Sequence, residues 1–170
     1  MKVTPLHPAL GAEVTGVDLS RPVDAPTGEA LNRALAEHLA LVFRDQSLTT
    51  FNGLDGHADT REEDRAKYGD LVEHPMVRTH PVHGSRAVYF HVSKTDHVSG
   101  MTPEASRRYL RDLLDRMIRP EITYQHRWRP GDVLVIDNRA TMHRAHGDYD
   151  RAESRVLWRI IVEGDRPRLV

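Results

Sequence analysis

The sequence predicts a single mostly β domain with helices packed outside it, an α+β arrangement, and three observations lead there. Short runs rich in β-branched and aromatic residues recur between Pro and Gly punctuation, as strands and turns do. Two longer stretches carry apolar residues at helical spacing. The 170 residues suit one domain with a real core, and no repeat, linker or low-complexity tract divides them.

Taken in order, Val3 to Leu19 reads as two short strands broken at His7-Pro8 and Gly11. Ala25 to Ala40 reads as a helix, with Leu31, Leu35 and Leu39 on one face and His38 beside them at an interface. Leu41 to Phe43 makes a short buried strand. Leu71 to Val92 gives a strand, a turn at Pro81 to Ser85 and a second strand at Arg86 to Val92. His74, His80 and His83 flank proline or glycine there and read as turn and edge residues, and Arg78 reads as solvated, the alternative being a charge contributed to the pocket. A second helix follows, capped by Thr102, with Pro103 at its first position, and stopped by Pro120. Its stripe of Tyr109, Leu110, Leu113, Leu114, Met117 and Ile118 reads as core. His97, in the loop before it, reads as structural. Ile122 to Trp128 reads as a strand, and Pro130-Gly131 as a tight turn into another at Asp132 to Asp137. The last strand, Arg155 to Glu163, carries Val156, Trp158, Ile160, Ile161 and Val162 and reads as central, with both faces covered.

Composition excludes several classes of function. A net charge of −1, from 24 basic and 25 acidic residues, provides no global field for nucleic acid or an anionic membrane. No apolar run approaches the roughly 20 residues of a membrane span, and no signal core opens the chain, so the expectation is a cytoplasmic protein. Without cysteine, any metal must use His, Asp, Glu or water.

Chemistry concentrates between Arg127 and Asp165. Arg155 and Arg159 sit four apart in the last predicted strand, so both point to one face, about 13 Å from each other. Two charges on a covered face need anionic partners, and a guanidinium fork fits a carboxylate. Pairing with protein carboxylates, or snorkelling at the sheet edge, would satisfy them equally. His143 stands between the two strands, in DNRATMH.

DNRATMH followed by RVLWR resembles the C-terminal signature of the iron(II)/2-oxoglutarate dioxygenases of the taurine and 2,4-dichlorophenoxyacetate type. Residues 71–92, with HPMVRTHPVHG, and the opening GAEVTGVDL are similar to further segments of that family. The resemblance implies a double-stranded β-helix, or jelly roll, of which this chain holds an incomplete version. It implies His143 as an iron(II) ligand, Arg155 as the partner of the far carboxylate of 2-oxoglutarate, and Arg159 as a contact of the substrate's anionic group. Two histidines and one carboxylate leave positions on the metal for the keto acid and O2. Decarboxylation then gives succinate, CO2 and an oxidant that attacks a C–H bond of a small anionic organic substrate.

The resemblance breaks near residues 50–54, where the family's His-x-Asp segment appears deleted. His57-Ala58-Asp59 has the missing spacing, which in a strand would put both side chains on one face. Against it, Thr60-Arg61-Glu62-Glu63 is a capping box, which makes Asp59 the lead-in to a helix. His57 and Asp59 therefore remain candidate ligands beside the alternative of a shortened relative that only binds, or of a homo-oligomer in which a second chain completes the barrel. From the deletion, the isolated chain is expected to bind iron poorly.

Overall fold

The computed structural model describes residues 1–48, 73–91, 95–147, 150, 152, 156–162 and 164. His57, Asp59, the capping box at Thr60 and Arg155 lie outside them. Within them the chain is a mixed α/β structure: a four-stranded sheet, a separate two-stranded hairpin and two principal helices.

The sheet runs β1 (Lys2–Pro5), β2 (Ala12–Thr15), β3 (Ala40–Phe43) and β6 (Val133–Ile136) in that order across its width. β1 and β2 are antiparallel, with the break where the Pro and Gly signals fall; Gly11 takes a φ of 86°. Its glycine identity is needed twice, because a Cβ there would also stand 3.2 Å from the Tyr124 ring. β2 and β3 are parallel, which requires a crossover, and α1 (Ala25–His38) supplies it. Asp24 caps α1 by accepting a hydrogen bond from the Thr27 amide at 2.8 Å. The helix ends two residues earlier than its apolar spacing predicts, because Leu39 turns left-handed at a φ of 61°. The Leu39 amide still donates to the Leu35 carbonyl at 2.8 Å, closing the last turn before β3 begins.

β3 is buried throughout and paired on both sides, as its unbroken apolar run implies. Leu41 and Phe43 face a core with Ala12, Val14 and Ala34, and Leu31, Leu35 and Val133 pack on it. β6 joins β3 antiparallel, entered by the Pro130-Gly131 turn. The Asp132 amide donates to the Arg129 carbonyl at 3.1 Å, and Gly131 has a φ of 80°, the geometry of a type II turn.

The hairpin pairs β4 (Val77–Thr79) with β5 (Arg86–Val88), and the predicted turn is closed by the His80 amide donating to the Ser85 carbonyl at 2.8 Å. α2 (Pro103–Met117) is capped by Thr102, whose hydroxyl oxygen accepts from the Ala105 amide at 3.2 Å. A 3₁₀ turn at Pro120–Ile122 follows it.

Three expectations are corrected. The α2 stripe is not core: Tyr109 is 42% exposed, Ile118 51%, and Leu110, Leu113, Leu114 and Met117 are half-buried. Its spacing is amphipathic, but no described element covers it as the main sheet covers α1. Residues 123–128 form no strand; their alternating Tyr124 and His126 instead pack locally on Gly11 and Asp132. Nor do residues 156–162 form a central strand. No ladder bonds them, and Trp158, Ile160, Ile161 and Val162 are exposed by 65%, 65%, 68% and 86%. Strand propensity records how a side chain fits a pleated surface, and here no neighbouring strand provides one among the described residues.

Candidate functional site

β6 is bracketed by two buried aspartates, and the second leads directly into the stretch holding His143. At its entrance, Asp132 Oδ2 accepts from the Arg44 guanidinium, from His126 Nε2 at 3.1 Å and from the Arg129 amide at 2.8 Å. Arg44 also reaches Glu13 at 3.4 Å, so this cluster ties β2, the end of β3 and the start of β6 together. Burial, and then the positive charge of Arg44, disfavours protonation of His126, which pushes its pKa down.

At the exit, Asp137 is 3% exposed and its carboxylate is fully engaged. Arg139 grips it with Nε on Oδ1 at 2.8 Å and Nη2 on Oδ2 at 2.6 Å, while His80 Nε2 meets Oδ2 at 2.9 Å. Burial alone would raise the pKa of this group, but the Arg139 fork, the His80 hydrogen bond and the Arg139 amide outweigh it and hold the carboxyl well below the usual carboxylate range. The Asp137 main-chain oxygen accepts from the Thr141 hydroxyl at 2.7 Å and from the Thr141 amide at 3.1 Å. The turn carrying the chain towards His143 is thereby fixed at its root.

His143 itself reaches solvent. Its imidazole is nonetheless desolvated enough to lower its pKa, and the neighbouring Arg159 and His91 oppose its protonation further. A neutral imidazole with a free lone pair is the form a metal requires. His143 and Arg159 are thus brought into one neighbourhood. Arg159 is exposed in the irregular segment 156–162 and does not stand on a covered sheet face. Among the described residues no three His, Asp or Glu side chains converge as a metal set would. His143 therefore offers one imidazole donor, without two further ligands beside it among the described residues. His97 is a loop residue, hydrogen-bonded to Asp96 at 2.7 Å and exposed.

The hairpin overturns two expectations. His80 is not an edge residue: it is 1% exposed, bound to Asp137, and stacked on His83 with ring centroids 3.7 Å apart. Arg78 is not solvated: it is 4% exposed, with its guanidinium 5.0 Å from the centre of the Tyr89 ring. Both sit on the same side of the hairpin, two positions apart, while Val77 between the faces is 37% exposed. The strand turns Arg78 inward and Val77 outward, the reverse of what hydrophobicity alone predicts. The signal available in VRTHP was the i, i+2 spacing of Arg and His. An uncompensated buried charge costs several kcal/mol, whereas a cation over an aromatic ring returns about 2 kcal/mol when desolvated.

Residues 49–161 match the family model described as "Taurine catabolism dioxygenase TauD, TfdA family". The chain belongs to that family. The TauD, TfdA match covers the His143 region and both arginines of the last predicted strand. Over 99 residues the chain is 35% identical to pentalenolactone F synthase of Streptomyces arenae, covering 58% of this chain and 33% of that protein. Over 97 residues it is 38% identical to the alpha-ketoglutarate-dependent sulfate ester dioxygenase of Pseudomonas putida, covering 56% and 31%. The chain thus spans about a third of the length of the curated relatives it matches. A crystal structure of a taurine dioxygenase from Burkholderia xenovorans superposes with a TM-score of 0.63 at 25% identity, covering 82% of this chain and 80% of that one. AAD-2, solved with Mn(II) and N-oxalylglycine, has the same fold at 20% identity and a TM-score of 0.73, covering 91% and 94%. No helix among the described residues is long and apolar enough to cross a membrane.

Proposed function

We propose that this TauD, TfdA-family chain serves iron(II)- and 2-oxoglutarate-dependent oxidation of a small anionic organic compound, such as a sulfonate, sulfate ester or aryloxy acid. The supporting observation is the place of His143 in the family-matched stretch, behind a turn fixed by Asp137, where partial desolvation and the charge of Arg159 oppose its protonation. In this reading His143 holds the metal together with His57 and Asp59, Arg155 receives the far carboxylate of 2-oxoglutarate, and Arg159 receives the substrate's acid group. The sheet and hairpin are read as parts of the family's jelly roll. Iron would supply oxygen activation coupled to release of succinate and CO2. The chain's own contribution is to keep one imidazole unprotonated and to place cations where two acids must dock.

Succinate release from 2-oxoglutarate with iron(II), ascorbate and a panel of sulfonates, sulfate esters and aryloxy acids tests this. The isolated chain is expected to release succinate slowly, and His143→Ala to abolish that release. Robust release that vanishes in both His57→Ala and Asp59→Ala would establish a complete triad. Release indifferent to His143→Ala would remove the reading. A second reading, an anion-binding module without turnover, rests on the break in the family resemblance near residues 50–54.

The arginines can be tested separately, by calorimetric titration of 2-oxoglutarate. Arg155→Lys is expected to weaken binding by about 1 to 3 kcal/mol, since lysine replaces a two-bond fork with a compact charge. Arg159→Lys should cost less. Equal or reversed losses would mean that the two roles are exchanged.

A further inference from the structure

We propose that Arg78 is an anion-binding residue, and that the β4–β5 hairpin holds a site for a small oxyanion. The case begins with a contrast among three arginines. Arg44 and Arg139 are both partly exposed, and each is matched by carboxylate: Arg44 by Asp132 and Glu13, Arg139 by Asp137. Arg78 is the most buried of the three and forms no ion pair among the described residues. Its Nε is sealed from solvent and has no hydrogen-bond partner among the described residues.

Among the described residues no group answers it. Asp137, the carboxylate held by Arg78's strand neighbour His80, has both oxygens occupied by Arg139 and His80. Tyr89 covers the guanidinium through its ring, which attracts the charge but accepts no N–H fork. Across the ladder Arg78 faces Ala87, which carries no polar group. What remains is a cation held on rigid backbone, desolvated, with one donor nitrogen unanswered. A group with two oxygens on one atom, a carboxylate or a sulfur or phosphorus oxyanion, answers that geometry. The near-complete burial of the residue restricts it to a small one. The inference stands whether or not the chain turns over 2-oxoglutarate.

The test uses the full chain and two probes, sulfate and formate, at millimolar concentration against chloride at matched ionic strength. Wild type is expected to melt several degrees higher with at least one oxyanion, and the stronger probe tells a tetrahedral from a planar ligand. Arg78→Met, similar in length and uncharged, is expected to melt no lower than wild type in chloride, because an unpaired buried charge has been removed. It should show only the general salt effect of the oxyanions. Arg78→Lys keeps the charge without the fork, and should bind the preferred probe about tenfold more weakly by calorimetry. The proposal is overturned if wild type responds to neither probe, or if a folded Arg78→Met retains the full response. If Arg78→Met does not fold, the proposal then stands or falls on Arg78→Lys, where unchanged affinity overturns it.

Discussion

Asp137→Ala is expected to destabilise the protein by about 3 to 5 kcal/mol at neutral pH, the range for removing one member of a buried charged pair. The carboxylate is 3% exposed and satisfies His80, two nitrogens of Arg139 and the Arg139 amide. Its loss leaves His80, itself 1% exposed, with an unmatched ring nitrogen in a dry site. The pH dependence follows from the direction of the shift. Because the folded-state pKa lies below the unfolded value of about 3.9, the contribution is fully present above pH ~4 and is lost as pH falls towards the folded value. Urea melts from pH 7 to pH 2 check both points. The gap between wild type and variant should narrow below pH ~4, and a gap constant across the range would place the stabilisation elsewhere.

Phe43→Ala is expected to cost a similar amount, about 3 to 5 kcal/mol, for a different reason. Phe43 is 2% exposed, and its strand is hydrogen-bonded on both sides, so the backbone cannot collapse into the cavity left behind. Alanine at Val162, which is 86% exposed, should by contrast change stability by no more than about 0.5 kcal/mol. Denaturant melts of the two variants make the comparison. A loss below about 1 kcal/mol for Phe43→Ala would show that the packing around β3 is not the stabilising core.

Local chemistry was legible. The break between β1 and β2, the cap and Pro of α2, the buried run of β3 and the Pro130-Gly131 turn all depend on residues within a few positions of one another. Which face a side chain takes was not legible in the hairpin, because His80 is held inward by a group far along the chain. The His80 to Asp137 bond spans 57 positions, and no local pattern encodes it. Segment 156–162 shows the converse: its residues favour a strand, but a strand needs a neighbour. His143 was found through a motif, whereas the clamp that roots its turn appeared only once β6 and the hairpin were placed together.

The sheet's strand order also sets a sequence of assembly. β1, β2, α1 and β3 find one another within the first 43 residues, and β2 pairs with β3 across about thirty positions. β6 must return to β3 across ninety, as the Phe43–Val133 pair shows. The longer closure costs roughly 1 kcal/mol more in chain entropy, and non-local pairing of this kind slows folding. The same return brings Asp132 to Arg44 and Asp137 to the Leu39 carbonyl, which accepts from the Asp137 amide at 2.9 Å. Capture of β6 is therefore both the slow, entropically costly step and the one at which two carboxylates leave water, so dissolved salt should act on the rate of folding chiefly through that encounter.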